Sequence, residues 1–130
     1  MKHSLFNCVG IIIMSWIACA ACSAIEEDFG TFGTYSIKSA SQTEIHFFHL
    51  TTCPRSNSAK SYINENYPGL KVKYIDISDD QGEALLNVAR KEYKLGNYIS
   101  TPLICCGDTC IQGWDVEQQQ QFDDCVQRYR

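Results

Sequence analysis

Cys53-Pro54-Arg55-Ser56 is the stretch of this chain best suited to chemistry. A thiol becomes a nucleophile, towards disulfides above all, when it ionises. Cys53 follows an apolar run, Ile45-His46-Phe47-Phe48-His49-Leu50, and precedes a segment with helical patterning. A cysteine at the mouth of a helix feels the positive end of the helix dipole and unpaired backbone N–H groups, and both favour the thiolate. Pro54 suits the first helical turn, where its missing N–H costs nothing. Ser56 stands where a dithiol site would carry a second cysteine, so this site has a single thiol.

The elements that position Cys53 read β-α-β-α-β-β-α. A first strand over about 44–50 is apolar enough to be buried on both faces. A helix over about 54–67 places Ala59, Tyr62, Ile63 and Tyr67 on one side, and Pro68-Gly69 ends it. Residues 70–77 alternate as a strand, with Val72, Tyr74 and Ile77 set against Lys71, Lys73 and Asp76. Asp79 or Asp80 can cap a second helix over 81–95, which offers Leu85, Leu86, Val88, Ala89 and Tyr93 for burial. Gly96-Asn97 is expected to close it in a left-handed turn. Pro102 opens a third strand over 103–106, Gly107-Asp108 turns it, and a fourth strand covers about 109–112. A last helix over 116–129 presents Phe122, Cys125, Val126 and Tyr129 at i, i+3, i+4 and i+7.

Upstream, residues 1–24 look like an export signal. Lys2 gives a positive start, Val9 to Ala21 is apolar, and Cys22-Ser23-Ala24 offers small residues for cleavage. The same segment is compatible with a signal anchor, hence membrane attachment, and with a lipid-bearing Cys19 or Cys22. Residues 25–43, rich in Gly, Ser and Thr, read as a linker. The folded unit is then expected over 44–130, enough for one core. Net charge is −4 and no Lys/Arg cluster occurs, so nucleic acid has no electrostatic footprint here.

Several of these residues together resemble a glutaredoxin. They are Cys53-Pro54 at the first helix, Thr101-Pro102-Leu103-Ile104 at the third strand, and Ile111-Gln112-Gly113-Trp114-Asp115 after Gly107. The resemblance covers about 44–130. It implies a thioredoxin-like α/β fold, a four-stranded mixed sheet with helices on both faces. It also implies a monothiol thiol–disulfide oxidoreductase that reduces protein–glutathione mixed disulfides, with glutathione as co-substrate and glutathionylated proteins as partners. The leader and the serine in the fourth position make it similar to the monothiol glutaredoxins of the secretory pathway or an exported bacterial relative. By that resemblance Cys53 is the nucleophile, and Thr101 offers its backbone to glutathione beside a cis Pro102. Asp115 holds the glutathione amino group, while Gly113 and Trp114 line the groove. The family's lysine three residues before the nucleophile is Leu50 here, and Arg55 or Lys60 can substitute for it.

Blander roles compete. His46 and His49 read as satisfied strand residues rather than an acid or base. Asp115 can be only a helix cap, and Trp114 only packing. Without residues 1–24, five cysteines remain: Cys53, Cys105, Cys106, Cys110 and Cys125. An oxidising compartment favours pairing four of them and leaving Cys53 free. A two-residue Gly107-Asp108 turn sets Cys105 opposite Cys110, with Cα atoms about 4.5 Å apart. Cys106 and Cys125 can pair if both face the same helix. Cys106-x3-Cys110 is half of a zinc spacing, but no second pair follows, so no metal is expected. The alternatives to an enzyme are a non-catalytic binding module of the same fold and a disulfide-stapled secreted domain.

Overall fold

The computed structural model describes residues 35–129. The expected leader and most of the linker lie outside the described residues. The elements are α1 (Ile37–Ala40), β1 (Ile45–His49), α2 (Pro54–Asn66), β2 (Val72–Asp76), α3 (Asp80–Glu92), β3 (Leu103–Cys106), β4 (Thr109–Gln112) and α4 (Val116–Tyr129). One four-stranded sheet has the order β2-β1-β3-β4. β1 runs parallel to β2 and antiparallel to β3, and β4 is antiparallel to β3. Among the described residues no helix is long and apolar enough to cross a membrane.

β1 is central, and every residue in it is buried. Its neighbours in sequence point to opposite faces. Ile45 and Phe47 pack with Ala59 and Ile63 of α2 and with Phe122, Cys125 and Val126 of α4. Phe48 packs on the other face with Ile37 of α1 and Leu86 and Ala89 of α3. The sheet is therefore covered on both sides, as a run of apolar residues without alternation requires. His46 is fully buried, and its Nδ1 lies 3.1 Å from both the Ser41 hydroxyl and the Glu44 carbonyl. Burial holds its pKa below the usual imidazole value. His49 is also held low, by burial first and then by Lys60, whose Nζ is 3.3 Å from His49 Nδ1.

Three sequence expectations change. The folded unit starts before residue 44: Ser36 caps α1 by accepting from the Ser39 N–H, and Ile37 is fully buried. Ser41 also receives the Gly107 N–H on its carbonyl, tying α1 to the β3–β4 turn. A Ser- and Thr-rich composition hid a single apolar anchor. In β2 the buried residue is Ile75, while Tyr74 is 41 % exposed. β2 is an edge strand, so the α2 face thins out there, and the Tyr74 ring meets Phe47, His49 and the Lys60 ammonium while one side stays open to solvent. Finally, Lys94 rather than Gly96 takes the left-handed conformation after α3, with φ 55°. The Leu95 N–H reaches back to the Arg90 carbonyl and the Lys94 N–H to Lys91, which closes the helix in a Schellman turn. A side chain in that conformation costs about 1 kcal/mol. Lys94→Gly should therefore raise stability by roughly 0.5–1 kcal/mol, read as a higher denaturation midpoint with unchanged slope.

Asp79 caps α3, its carboxylate accepting from the Gly82 N–H at 2.6 Å. The hairpin register pairs Cys105 with Cys110 and Cys106 with Thr109 around Gly107-Asp108. Disulfides join Cys105 to Cys110 and Cys106 to Cys125. Gly107 has φ +59°, and a Cβ there would meet the Tyr129 ring at 2.2 Å, so α4 closes directly onto the turn.

Candidate active site around Cys53

Cys53 is the N-cap of α2, with extended backbone angles and Pro54 at the first helical position. A turn precedes it, closed by its N–H to the Leu50 carbonyl. This turn carries the chain from the buried end of β1 to the surface, so the thiol comes out partly exposed. It is the free cysteine among the described residues. Its neighbour across the fold is Thr101, 48 residues later, held just ahead of a cis Thr101–Pro102 bond. The Thr101 hydroxyl donates to Cys53 Sγ at 3.4 Å, and the thiol can donate to the Thr101 carbonyl at 3.8 Å.

These contacts set the charge state of the sulfur. The pKa of Cys53 falls from an ordinary 9.0 to about 7. The Thr101 hydroxyl is the largest cause; burial opposes it; the Ser56 hydroxyl and the Ser56 and Arg55 backbone amides add to it. The amides at the start of α2 act as the helix-mouth argument requires. At pH 7 about half of the thiol is ionised, against about one per cent for an unshifted group. Thr101→Val removes the hydroxyl at nearly constant shape. The midpoint of Cys53 alkylation against pH should then rise by about one unit, since a hydrogen bond to a charged group has roughly that worth. An unmoved midpoint would take Thr101 out of the site.

A cleft of about 420 Å³ opens beside the sulfur, lined by Cys53, Pro54, Arg55, Tyr98, Ile99, Ser100 and Thr101. Pro102 is buried behind it, and its carbonyl accepts the Gly113 N–H. Gly113 has φ +81°, and its missing side chain would point to Arg55 Nη1 at 3.9 Å. So the structure gathers Cys53, Arg55, Thr101, Pro102 and Gly113. Trp114 and Asp115 line a separate cleft with Tyr62 and Glu65. Trp114 is 7 % exposed and packs edge-on against Tyr62 and Phe122. Asp115 accepts the Glu117 N–H at 2.9 Å and so caps α4. Among the described residues no group of three or more His, Cys, Asp or Glu is placed to hold a metal ion.

The sequence alone assigns Thr101 only its backbone, gives Ser56 the place of a second cysteine but no role for its hydroxyl, and gives Tyr98 no place at the site. Tyr98, 83 % exposed on the rim of the cleft, had a signal in its position shortly before Pro102.

A glutaredoxin of Archaeoglobus fulgidus matches with a TM-score of 0.52 at 14% identity, covering 71% of this chain and 95% of that one. The fold is the thioredoxin-like fold of the glutaredoxins. A buckwheat glutaredoxin, solved in complex with glutathione, matches with a TM-score of 0.49 at 18% identity, over 70% of this chain and 84% of that one. No protein-family model matches the chain, and no curated protein matches it in sequence.

Proposed function

We propose that this protein is an exported monothiol oxidoreductase that reduces protein–glutathione mixed disulfides through Cys53. The observation that carries the reading is the Cys53 thiol itself: free, partly exposed, and held near pKa 7 by the hydroxyl of the residue before a cis proline. A thiol with a pKa near ambient pH is the most effective attacker in thiol–disulfide exchange. In the first step the Cys53 thiolate attacks the glutathione sulfur of the mixed disulfide, and the protein sulfur leaves as a thiolate. In the second, a glutathione thiolate attacks the same glutathione sulfur. Glutathione disulfide leaves, and Cys53 is again a thiolate. Ser56 cannot resolve an intermediate, so a second glutathione is required.

Arg55 is the cation of the cleft and the candidate partner for a glutathione carboxylate, in place of the lysine that Leu50 displaces. Gly113 lies beside its guanidinium, a Cβ there falling 3.9 Å from Nη1. Two disulfides among the described residues, together with the leader-like residues 1–24, support an oxidising compartment.

The test is turnover of a glutathionylated peptide with reduced glutathione as the electron donor, monitored as release of free peptide thiol. Steady turnover is expected. Glutathionylation of Cys53 without turnover would favour a binding module instead.

A further inference from the structure

Ser56 Oγ is fully buried and meets no well-aligned hydrogen-bond partner. A buried hydroxyl without a partner is costly, and a fold that retains one has a reason for it. Ser56 lies on the first turn of α2, three residues after Cys53, so the two side chains share one helix face. The chemistry on that face is the Cys53 sulfur, and the Ser56 hydroxyl is among the groups that favour its ionised form. A neutral thiol is a weak acceptor and already has Thr101 at hand. A thiolate is a strong acceptor and takes several donors at once.

We propose that Ser56 is a positioning residue whose hydroxyl is kept in reserve for the Cys53 thiolate. It is unpaired while the sulfur is protonated or locked in a disulfide, and it donates when the sulfur carries charge. This rests on the reading of Cys53 as a monothiol nucleophile. It gives Ser56 its moment in the second half-reaction. There, glutathione thiolate attacks the glutathione sulfur, the S–S bonding pair moves onto Cys53, and Cys53 departs as a thiolate. Ser56 donates a hydrogen bond to that departing sulfur and keeps its proton. A residue in the place of a second cysteine thus supplies a donor without a second nucleophile.

Ser56→Ala in the full chain is the test. Alkylation of Cys53 by iodoacetamide is followed across pH on the peptide that contains it, and thermal unfolding is followed at about pH 5.5 and about pH 9.5. The alkylation midpoint should rise by about half a unit, less than for the dominant donor Thr101. The sign of the stability change follows from linkage. The Cys53 pKa is depressed in the folded state, so its stabilising effect is present above 9.0 and is lost as pH falls through about 7. The variant should therefore lose melting temperature at the alkaline pH. At the acidic pH, where only the orphan hydroxyl is removed, it should match or exceed the wild type. An unmoved midpoint overturns the proposal, and so does an equal loss of melting temperature at both pH values. A shifted midpoint in a protein that never turns over glutathione keeps this role for Ser56 and sinks the proposed activity.

Discussion

Cys53→Ser should abolish turnover of a glutathionylated peptide, with a loss of at least about 10³-fold. The magnitude follows from ionisation. The thiol is about half thiolate at pH 7, whereas a serine hydroxyl on the same backbone has no accessible anion. Nothing else in the cleft can replace it, since Pro54, Arg55, Tyr98, Ile99, Ser100 and Thr101 bring no second thiol. The fold should survive, because Cys53 makes no side-chain cap bond to α2 and is bonded to no other cysteine. Below pH 7 the melting temperature should stay within a few degrees of the wild type, as expected for a partly exposed site. Residual turnover above a tenth of the wild-type rate would mean that another cysteine carries the chemistry.

Gly82→Ala should be the most damaging single methyl group in the described part of the chain. Gly82 is in the first turn of α3, where the helix meets the end of β2. A Cβ there would lie 1.8 Å from the Asp76 carbonyl oxygen, which is backbone and cannot swing aside. Two effects oppose each other. Alanine gains up to about 1 kcal/mol over glycine in a helix. Overpacking against fixed backbone costs about 1–3 kcal/mol or more, because α3 must lift off the sheet and its Asp79 cap must move. The clash wins, and a net loss of about 2 kcal/mol or more is expected. For a domain of this size that lowers the melting temperature by roughly 10 °C. Gly96→Ala is the control: nothing lies within 4 Å of its Cβ position and φ is not left-handed, so its stability should barely change.

Much of the architecture was legible because local signals agreed with the global fold. The apolar run 45–49 marked a strand buried on both faces, Gly107-Asp108 marked the hairpin, and Phe122, Cys125, Val126 and Tyr129 marked the inner face of α4. The failures were places where one residue outweighs composition. Ile37 anchors α1 inside a stretch that reads as linker, and no pattern of period 3.6 develops in four residues. Ile75 is buried and Tyr74 is not because β2 lies at the sheet edge, and strand order is not written in β2 itself. Lys94 adopts φ 55° two residues before Gly96, since the turn geometry is set by the Arg90 and Lys91 carbonyls one turn earlier. At the site, the helix-mouth position of Cys53 could be read from its neighbours in sequence. The Thr101 hydroxyl contact could not, because it depends on the antiparallel pairing that brings the end of β1 beside the start of β3, and on a side chain where sequence suggested backbone.

The adjacent cysteines Cys105 and Cys106 have a consequence for error correction. Neighbours on a strand face opposite ways, and the two bridges accordingly sit in different cores, Cys105 with Phe48 and Leu86, Cys106 with Phe47 and Phe122. A slip of the β3–β4 hairpin by one residue would turn every side chain of the slipped strand to the wrong face. A slip that set Cys106 opposite Cys110 would also take Cys106 from Cys125, so the two native bonds could not both close. The two bonds thus act as a parity check on one strand: both can close only in the alignment that leaves Pro102 behind Cys53 and Gly113 beside Arg55.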